Sequence, residues 1–253
     1  FLERIEMHDQ GIGSDRIHQS PDVFGRQAPD QLRAADVGAN EGIRGGVDST
    51  RADALIVHLN PLQELLQADG DHGFRGILKG IEGLVRDCPV PVLAKETGAG
   101  IDGSTARRLL EAGVRVIDVA GSGGTSWSRV EQLRDDPGGS RDFLSDWGIP
   151  TVDCLLDVAR LKTAHTFDLI ASGGIRNAEH MLKSVALGAD LAAMAQPVLA
   201  LLDQGGLPAL QKAYDSWVDR FRKGMVLLGA RTLTELREKK VYLPSDEDTT
   251  RLI

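Results

Sequence analysis

Short apolar runs alternate along the chain with longer segments in which apolar residues recur every three or four positions, from about residue 52 onward. The runs are ADALIVHL, VPVLAKE, VRVIDVAG, FDLIASGG and ADLAAMAQ. Parallel strands that are covered on both faces read as continuous apolar stretches, and helices carry the chain from one strand to the next. The pattern therefore predicts βαβ units and an α/β fold with a parallel sheet.

The intervening segments predict helices over residues 104–112, 152–163 and 178–187, with Gly113 and Gly188 placed as helix stops. A longer helix is expected over 209–228, and with GARTLTELREKKVYL after it the tail predicts a final helix pair that closes the barrel. None of the five strands opens a GxGxxG dinucleotide fingerprint. We therefore favour a closed (β/α)₈ TIM barrel over a doubly wound sheet.

Residues 1–51 are more polar than the rest. GIGSDR is interpreted there as the end of one strand and LRAADVGA as a weak version of the next, which gives about seven strands where a closed barrel needs eight. The shortfall falls at the N-terminus, so we expect the first strand to be either missing from this chain or unresolved. The whole of 1–253 is interpreted as one domain, with an incomplete N-terminal part over 1–51 and C-terminal helices and a tail over 209–253.

Composition narrows the classes of partner. A net charge of −8 and a pI near 5.3 argue against a nucleic-acid surface or a polybasic membrane contact. Cys88 and Cys154 are far apart and lack the spacing of metal ligands. No apolar segment approaches the ~20 residues that span a bilayer. We expect a cytoplasmic protein without nucleic-acid or membrane partners.

The first polar strand end is HLNPLQE. His58 and Asn60 are two residues apart, which points both side chains to one side of a strand, toward the barrel axis. Gln63 and Glu64 follow in the loop, and the four together could bind a polar ligand and a divalent cation. The alternative is that His58 is a hydrogen-bonded core residue and that Gln63 and Glu64 open a helix.

The second is AKETG, in which Lys95 follows four apolar residues. A lysine at the mouth of a buried strand needs an anionic partner. Glu96 is adjacent, but neighbouring strand residues face opposite sides. We favour a ligand contact for Lys95 over a structural ion pair.

Glycine-rich turns follow the later strands. AGSGGTSWSRVE brings backbone N–H groups and the Thr125 hydroxyl toward a ligand, with a plain flexible loop as the alternative. SGGIRN and MAQPVL end the last two predicted strands, where many barrels bind phosphate. With Lys95 they outline a flavin mononucleotide (FMN) site whose flat ring lies across the barrel mouth, with HLNPLQE on the substrate side.

The strings HLNPLQE, VPVLAKETGAGI, IDVAGSGGTSWSRVE, WGIPT, ASGGIRNAEHMLKSVALGAD and KGMVLLGARTLTEL, in this order, resemble type 2 isopentenyl diphosphate isomerase, the flavin-dependent form. The resemblance implies a (β/α)₈ barrel that interconverts isopentenyl and dimethylallyl diphosphate with reduced FMN and Mg²⁺. NADPH would reduce the flavin without net redox change in the substrate. It also implies a homo-oligomer, tetramer or octamer.

The resemblance further implies roles for individual residues. The catalytic groups would be His58, Gln63 and Lys95. The residues around the isoprenoid diphosphate would be Arg16, His58, Asn60 and Gln63. The residues that contact FMN would be Ser14, Lys95, Ser122, Thr125, Gly173, Gly174, Ala195 and Gln196. Glu64 would bind Mg²⁺.

Two departures from the family pattern concern the N-terminal part. The family's Arg/Lys-rich substrate segment and its Met-Thr-Gly-Gly strand end have no counterpart in the 253 residues. Asp36 stands where the family has Asn, which would put a carboxylate near the flavin and weaken that contact.

Two other functions stay open. An FMN barrel of the α-hydroxy acid oxidase type shares the phosphate grip and the lysine, but it needs a catalytic histidine late in the chain, and His180 lies within a predicted helix. A catalytically impaired barrel that still binds flavin or phosphate is the other, although an intact HLNPLQE argues against it. Trp127 and Trp217 are interpreted as packing residues.

Overall fold

The structure is a computed structural model and describes residue 47 and residues 51–136, 138, 140 and 142–242. In these ranges five parallel strands form one sheet, each hydrogen-bonded to the next in chain order. They are β1 (Leu55–Leu59), β2 (Val92–Glu96), β3 (Val116–Asp118), β4 (Asp168–Ala171) and β5 (Leu191–Ala192). All five strands predicted from the apolar runs are confirmed. The strands predicted in GIGSDR and LRAADVGA, and the expected gap before them, lie outside the described residues.

Helices connect these strands. They are α1 (Pro61–Leu66), α2 (Ile77–Asp87), α3 (Gly103–Glu111), α4 (Trp127–Asp135), α5 (Thr151–Ala159), α6 (Ala178–Ala186), α7 (Gln196–Leu227) and α8 (Leu233–Arg237), with short 3₁₀ helices over Phe143–Asp146 and Arg160–Thr163. Each strand passes through at least one helix before the next parallel strand, as the βαβ prediction requires. None of the helices in the described ranges combines the length and apolar character needed to span a bilayer.

Local chemistry sets the helix ends. Asp102 precedes α3 and its carboxylate accepts a hydrogen bond from the Thr105 N–H at 2.8 Å, which satisfies one donor of the first turn. Asn177 does the same for α6 through the His180 N–H at 2.9 Å. Gly113 and Gly188 follow the ends of α3 and α6 with φ of 94° and 105°. Their positive φ suits glycine, so both predicted helix stops are confirmed.

The first of the C-terminal helices differs from the prediction. The long helix α7 begins at Gln196 rather than at residue 209, because Pro197 is tolerated in a first turn. It is broken at Gly206, where φ is 63° and ψ is −160°, just before Pro208. The shorter helix α8 follows it within GARTLTELREKKVYL, so the predicted pair of C-terminal helices is confirmed.

Two apolar clusters hold the elements together. The first joins the sheet to α2, α3 and α5 and includes Val57, Ala94, Ile117 and Leu169. The second lies among α6, α7 and α8 and is centred on Phe221. Because side chains alternate along a strand, the residues between those of the first cluster face the other side of the sheet, which is the side of the barrel interior. This alternation decides which polar residues reach the mouth of the barrel.

Ile117 tests the first cluster, because it is fully buried in the middle strand of the described sheet. We expect Ile117→Ala to reduce the free energy of unfolding by about 2–5 kcal/mol through lost burial and an incompletely filled cavity. Val226→Ala is the control, since Val226 is 77% exposed, and its effect should stay within about 0.5 kcal/mol. Urea denaturation measures both, and equal destabilisation would contradict the packing described.

Candidate active site

Three polar side chains form a row across the first three strands. His58 on β1 is in register with Lys95 on β2, and Lys95 is in register with Asp118 on β3. All three alternate with core residues, so they point to the barrel interior. The sequence predicted this direction for His58, whereas for Lys95 it predicted a ligand contact. It did not identify Asp118, which lies within the apolar run VRVIDVAG.

Lys95 has partners on two strands. Its ammonium Nζ donates to the Glu96 backbone oxygen at 2.8 Å and lies 3.7 Å from Oδ2 of Asp118. The structural ion pair that the sequence placed second is therefore present, because the parallel register sets Asp118 opposite Lys95. The Lys95 side chain is still 30% exposed, so the ion pair leaves part of it open to a ligand.

Asp118 is almost enclosed, with 6% of its surface exposed. Its Oδ1 accepts hydrogen bonds from the Ser172 hydroxyl at 2.6 Å and from the Ala120 N–H at 3.2 Å. Burying a carboxylate is costly unless it is paired and hydrogen-bonded. Asp118 meets this condition by connecting β2, β3 and the turn that follows β4.

The pKa of His58 is affected by its burial and by the charges of Lys95 and Asp118. Its imidazole keeps an exposed edge, but partial burial lowers its pKa below the ordinary value of 6.5, and the positive charge of Lys95 lowers it further. The negative charge of Asp118 acts in the opposite direction and is the weakest of the three influences. The ring is therefore mainly neutral at pH 7 and can donate or accept a hydrogen bond.

Glu96 faces away from Lys95, as the strand alternation predicted. Its Oε2 accepts hydrogen bonds from the backbone N–H groups of Gly98, Ala99 and Gly100. Burial raises the pKa of Glu96, and the three N–H donors oppose that rise without reversing it. The carboxylate shapes the loop after β2 and is not the partner of Lys95.

Asn60 and Glu64 are bound to each other. The Asn60 side-chain amide donates to Oε1 of Glu64 at 3.0 Å, and the Asp71 N–H donates to Oε2 at 2.9 Å. Glu64 is 8% exposed. The carboxylate thus holds the loop over α1, and this agrees with the alternative in which Glu64 belongs to the start of a helix. The described residues use two of its four lone-pair positions, and a carboxylate can accept at the others from a cation.

Gln63 is oriented by a buried carboxylate that the sequence analysis did not assign. Its Nε2 donates to Oε1 of Glu131 at 2.9 Å, Gln67 donates to the same oxygen at 3.0 Å, and Arg134 donates to Oε2 at 2.9 Å. Burial alone would raise the pKa of Glu131, but the bonds from Gln67 and Gln63 and the charge of Arg134 outweigh it, so the pKa is lowered. An ionised Glu131 can only accept, so the Gln63 amide nitrogen points toward α4.

A cleft of about 270 Å³ opens beside this row at the loops that follow β2 and β3. Its walls include three predicted site residues, Gln63, Ser122 and Thr125, together with Trp127 and Trp147. His58 and Lys95 are not among its lining residues. Trp127 is 44% exposed, so its interpretation as a packing residue is wrong, whereas Trp217 packs in the second apolar cluster as predicted.

The turn after β4 is made of backbone in close contact. Gly173 and Gly174 have φ of 94° and 78°. A side chain on Gly173 would place its Cβ only 2.0 Å from the Gly121 oxygen. The Thr151 hydroxyl donates to the Gly173 oxygen at 2.7 Å. Glycine is thus required at position 173 by both conformation and space.

The start of α7 lies next to this turn. Ala171 pairs with Ala192 on the neighbouring strand, so the residues after both strands are brought together. Ala195 and Gln196 are exposed at the helix start, where no side chain of the described residues caps the first N–H groups. Arg176 was not assigned from the sequence, and its guanidinium donates to the Gly174 oxygen at 3.2 Å and to the Gly123 oxygen at 2.9 Å. Backbone donors and a positive charge therefore converge at the ends of β4 and β5.

The predicted site residues thus fall into three neighbouring groups. The row in the barrel interior holds His58 and Lys95, and the α1 group joins Asn60 to Glu64 and Gln63 to α4. The third group, at the later strand ends, contains Gly173, Gly174, Ala195 and Gln196, while Ser122 and Thr125 lie between it and α1. Ser14, Arg16 and Asp36 lie outside the described residues.

Comparison with known proteins agrees with this arrangement. The model of the FMN-dependent dehydrogenase family matches residues 74–243. An isopentenyl-diphosphate delta-isomerase of Chlorobium luteolum is 41% identical over 252 residues, which cover 91% of this chain and 69% of that protein. The chain belongs to the isopentenyl-diphosphate delta-isomerase family. The resemblance inferred from the motifs is confirmed.

Other relatives share the name. The protein of Pelodictyon phaeoclathratiforme is 40% identical over 90% of this chain and 71% of its own length. That of Stutzerimonas stutzeri is 43% identical over 85% of this chain and 64% of its own length. These family members extend beyond the part that the chain matches.

Solved structures of other flavoproteins share the fold. A mandelate oxidase superposes with a TM-score of 0.61 at 18% identity, covering 85% of this chain and 62% of that one. A flavocytochrome b2 mutant superposes with a TM-score of 0.58 at 18% identity, covering 88% and 58%. At such identities the likeness concerns the fold alone, and with the consecutive parallel strands it confirms the (β/α)₈ class.

Gly173→Ala tests the turn after β4. We expect it to destabilise the protein by about 1–3 kcal/mol, because a Cβ at positive φ is strained and would strike the Gly121 oxygen. Gly83→Ala in α2 is the matched control, since the nearest atom to its Cβ would be 3.7 Å away. That change should be neutral or stabilising by up to about 1 kcal/mol. Thermal unfolding of both variants decides the point, and an unaffected Gly173→Ala protein would refute the close contact.

His58 tests the electrostatics of the row. We expect its pKa, followed by NMR of the imidazole carbons, to lie below 6.5, to rise in Lys95→Met and to fall further in Asp118→Asn. Protonation of His58 then favours the unfolded chain, so its contribution to stability is present above pH 6.5 and is lost as the pH falls through the lower pKa of the folded state. A His58 pKa that ignores the Lys95 change would show that the two groups are not neighbours.

Proposed function

We propose that the chain isomerises isopentenyl and dimethylallyl diphosphate at an FMN site in the barrel mouth. The carrying observation is the row of His58, Lys95 and Asp118, which reaches the glycine turn after β4 through Ser172. Such a row supplies a cation for the ring of a flavin close to donors for its phosphate. Family membership supports the reaction.

The phosphate of FMN would lie between the turn at Gly173 and Gly174 and the start of α7. The residues fit this group for two reasons. Positive φ at both positions favours glycine, so the turn carries no side chains there, and the exposed helix start presents N–H donors that no side chain of the described residues caps. Arg176 adds a positive charge at the same place. Ser122 and Thr125 would contact FMN from the loop after β3, as would Ser14 from the N-terminal part.

Lys95 would face the flavin ring. Its aliphatic stem rises from β2, and its ammonium keeps exposed surface. A fixed positive charge beside the ring favours the anionic reduced form without rearrangement during the reaction. When bound, reduced FMN supplies the acid–base group of the isomerisation, and the protein supplies orientation, charge and exclusion of water.

The substrate would lie on the α1 side of the ring. Moving the double bond requires one proton to be added to a carbon and another to be removed from its neighbour. His58 and Asn60 would bind and orient the diphosphate together with Arg16. Gln63 donates one amide N–H to Glu131, and its second N–H is the donor that it can offer to the diphosphate.

Mg²⁺ would join Glu64 to the diphosphate. The described residues contain no group of three or more histidine, cysteine or acidic side chains that could form a metal cage. Mg²⁺ is commonly held by one or two carboxylates together with substrate phosphates and water. A single carboxylate with free lone pairs meets that requirement.

We further propose NADPH as the reductant of the flavin, a tetrameric or octameric assembly and a cytoplasmic location. These follow the family resemblance. The oxidase alternative gains no support from His180, whose Nδ1 lies 3.2 Å from the Gly174 oxygen and so contacts the turn backbone.

The deciding experiment is an anaerobic assay of isopentenyl diphosphate isomerisation with FMN, NADPH and Mg²⁺. We expect turnover by the parent chain and a loss of at least about 100-fold in Glu64→Gln, because the variant loses the carboxylate proposed to hold Mg²⁺ at the diphosphate. In a Mg²⁺ titration, the variant should need a higher Mg²⁺ concentration than the parent to reach half of its maximal activity.

The matched control is Glu111→Gln. Glu111 is exposed at the end of α3, just before β3 begins, so the substitution removes the same charge at the opposite end of the strands from the candidate site. It should retain parent activity. A flavin-bound parent without turnover would point to the impaired barrel, and oxidation of a 2-hydroxy acid would point to the oxidase type.

A further inference from the structure

We infer that Asp118 is a positioning residue for Lys95, holding its ammonium at the flavin ring while connecting it to the turn that would grip the phosphate. The inference rests on the proposed FMN site and goes beyond it by assigning a role to a residue that acts through Lys95. It follows from three contacts of one buried carboxylate.

The first step concerns the freedom of the lysine. A lysine has four rotatable side-chain bonds and an ammonium with three donors. Among the described residues, Nζ makes one hydrogen bond, to the Glu96 oxygen, and one ion pair, to Asp118. The backbone contact is available to several rotamers because it is adjacent along the chain. Strand alternation turns the side chain inward, and the ion pair across the strands is the contact that directs its ammonium toward β3.

The second step concerns the freedom of the carboxylate. Asp118 can direct Lys95 only if its own orientation is fixed. The Ser172 hydroxyl and the Ala120 N–H both hold Oδ1, and this leaves Oδ2 as the oxygen that faces Nζ at 3.7 Å. With 6% exposure, water competes little for these bonds.

The third step concerns what the connection joins. Ser172 is buried and directly precedes Gly173, and the Thr151 hydroxyl reaches both the Ser172 and Gly173 oxygens, at 3.2 and 2.7 Å. One set of contacts therefore runs from the charge at the ring to the turn at the phosphate. Asp118 would therefore fix the distance between Lys95 at the flavin ring and the turn at the flavin phosphate.

Sulfite tests this positioning without relying on isomerisation. The sulfur lone pair forms a bond to flavin N5, and the electron pair displaced in the ring settles at N1 and the C2 oxygen, so the adduct carries a negative charge that a nearby cation stabilises. Loss of a negative carboxylate would by itself tighten sulfite binding. Loss of Lys95 positioning would weaken it, so the sign separates the two effects.

We expect Asp118→Asn to raise the sulfite dissociation constant of the FMN-bound chain at least roughly fivefold. Asparagine has the same shape and can still accept from Ser172, but it carries no charge to hold the ammonium. Ser172→Ala is the second variant, which frees the carboxylate to rotate and should weaken sulfite binding in the same direction. If only one of these two variants folds, that variant is sufficient for the test.

Double variants that also lack Lys95 test whether Asp118 acts through this lysine. In Lys95→Met, adding Asp118→Asn or Ser172→Ala should change the sulfite constant by less than about twofold, because the group they act through is gone. Asp168→Asn is the matched control, since it removes the same charge from the exposed start of β4, and it should leave sulfite binding unchanged.

Three results would overturn the inference. They are unchanged or tighter sulfite binding in Asp118→Asn, equal effects with and without Lys95, and a flavin-bound parent that forms no adduct. FMN binding and isomerisation by the parent are measured beside them. If the parent isomerises while the sulfite results fail, the role of Asp118 is wrong and the proposed function stands. If the parent binds no FMN, both the role of Asp118 and the proposed function are wrong.

Discussion

The parallel register between β2 and β3 is the constraint on which the arrangement of the strand ends depends. It sets Lys95 opposite Asp118, and the adjacent pairing sets His58 opposite Lys95. A slip of one residue would turn all of these side chains toward the helices, since successive strand residues face opposite sides. The apolar residues that alternate with them are fully or nearly buried, and this burial keeps the register in place.

Buried carboxylates organise the loops around that row. Glu96 collects three N–H groups of the loop after β2, Glu64 joins Asn60 to Asp71, and Glu131 holds Gln63 against α4. Each loop or helix start has donors that need acceptors, and a carboxylate satisfies several at once. Part of the acidic residues of the chain thus lies in its interior, and among the described residues Lys95 and Arg176 bring positive charge to the mouth of the barrel.

The later strand ends use backbone instead of side chains. Gly173 approaches Gly121 so closely that a side chain has no room, and the start of α7 adds uncapped N–H groups beside the same turn. This division suits a ligand with a flat ring at one end and a phosphate at the other, because side chains can choose the charge beside the ring while amides follow the shape of an anion. Asp118 and Ser172 lie where the two regions meet.

The sequence by itself determined the five strands, the helix stops at Gly113 and Gly188, the barrel class and the family, because apolar periodicity, capping residues and motifs are local features. It also placed His58 and Lys95 correctly at strand ends. Only the tertiary structure decided that Lys95 pairs with Asp118, that Glu131 orients Gln63, that Glu64 is tied to its own loop and that Trp127 lines a cleft. These depend on which residues of distant segments face one another, and that is set by strand register and helix packing, which no local pattern encodes.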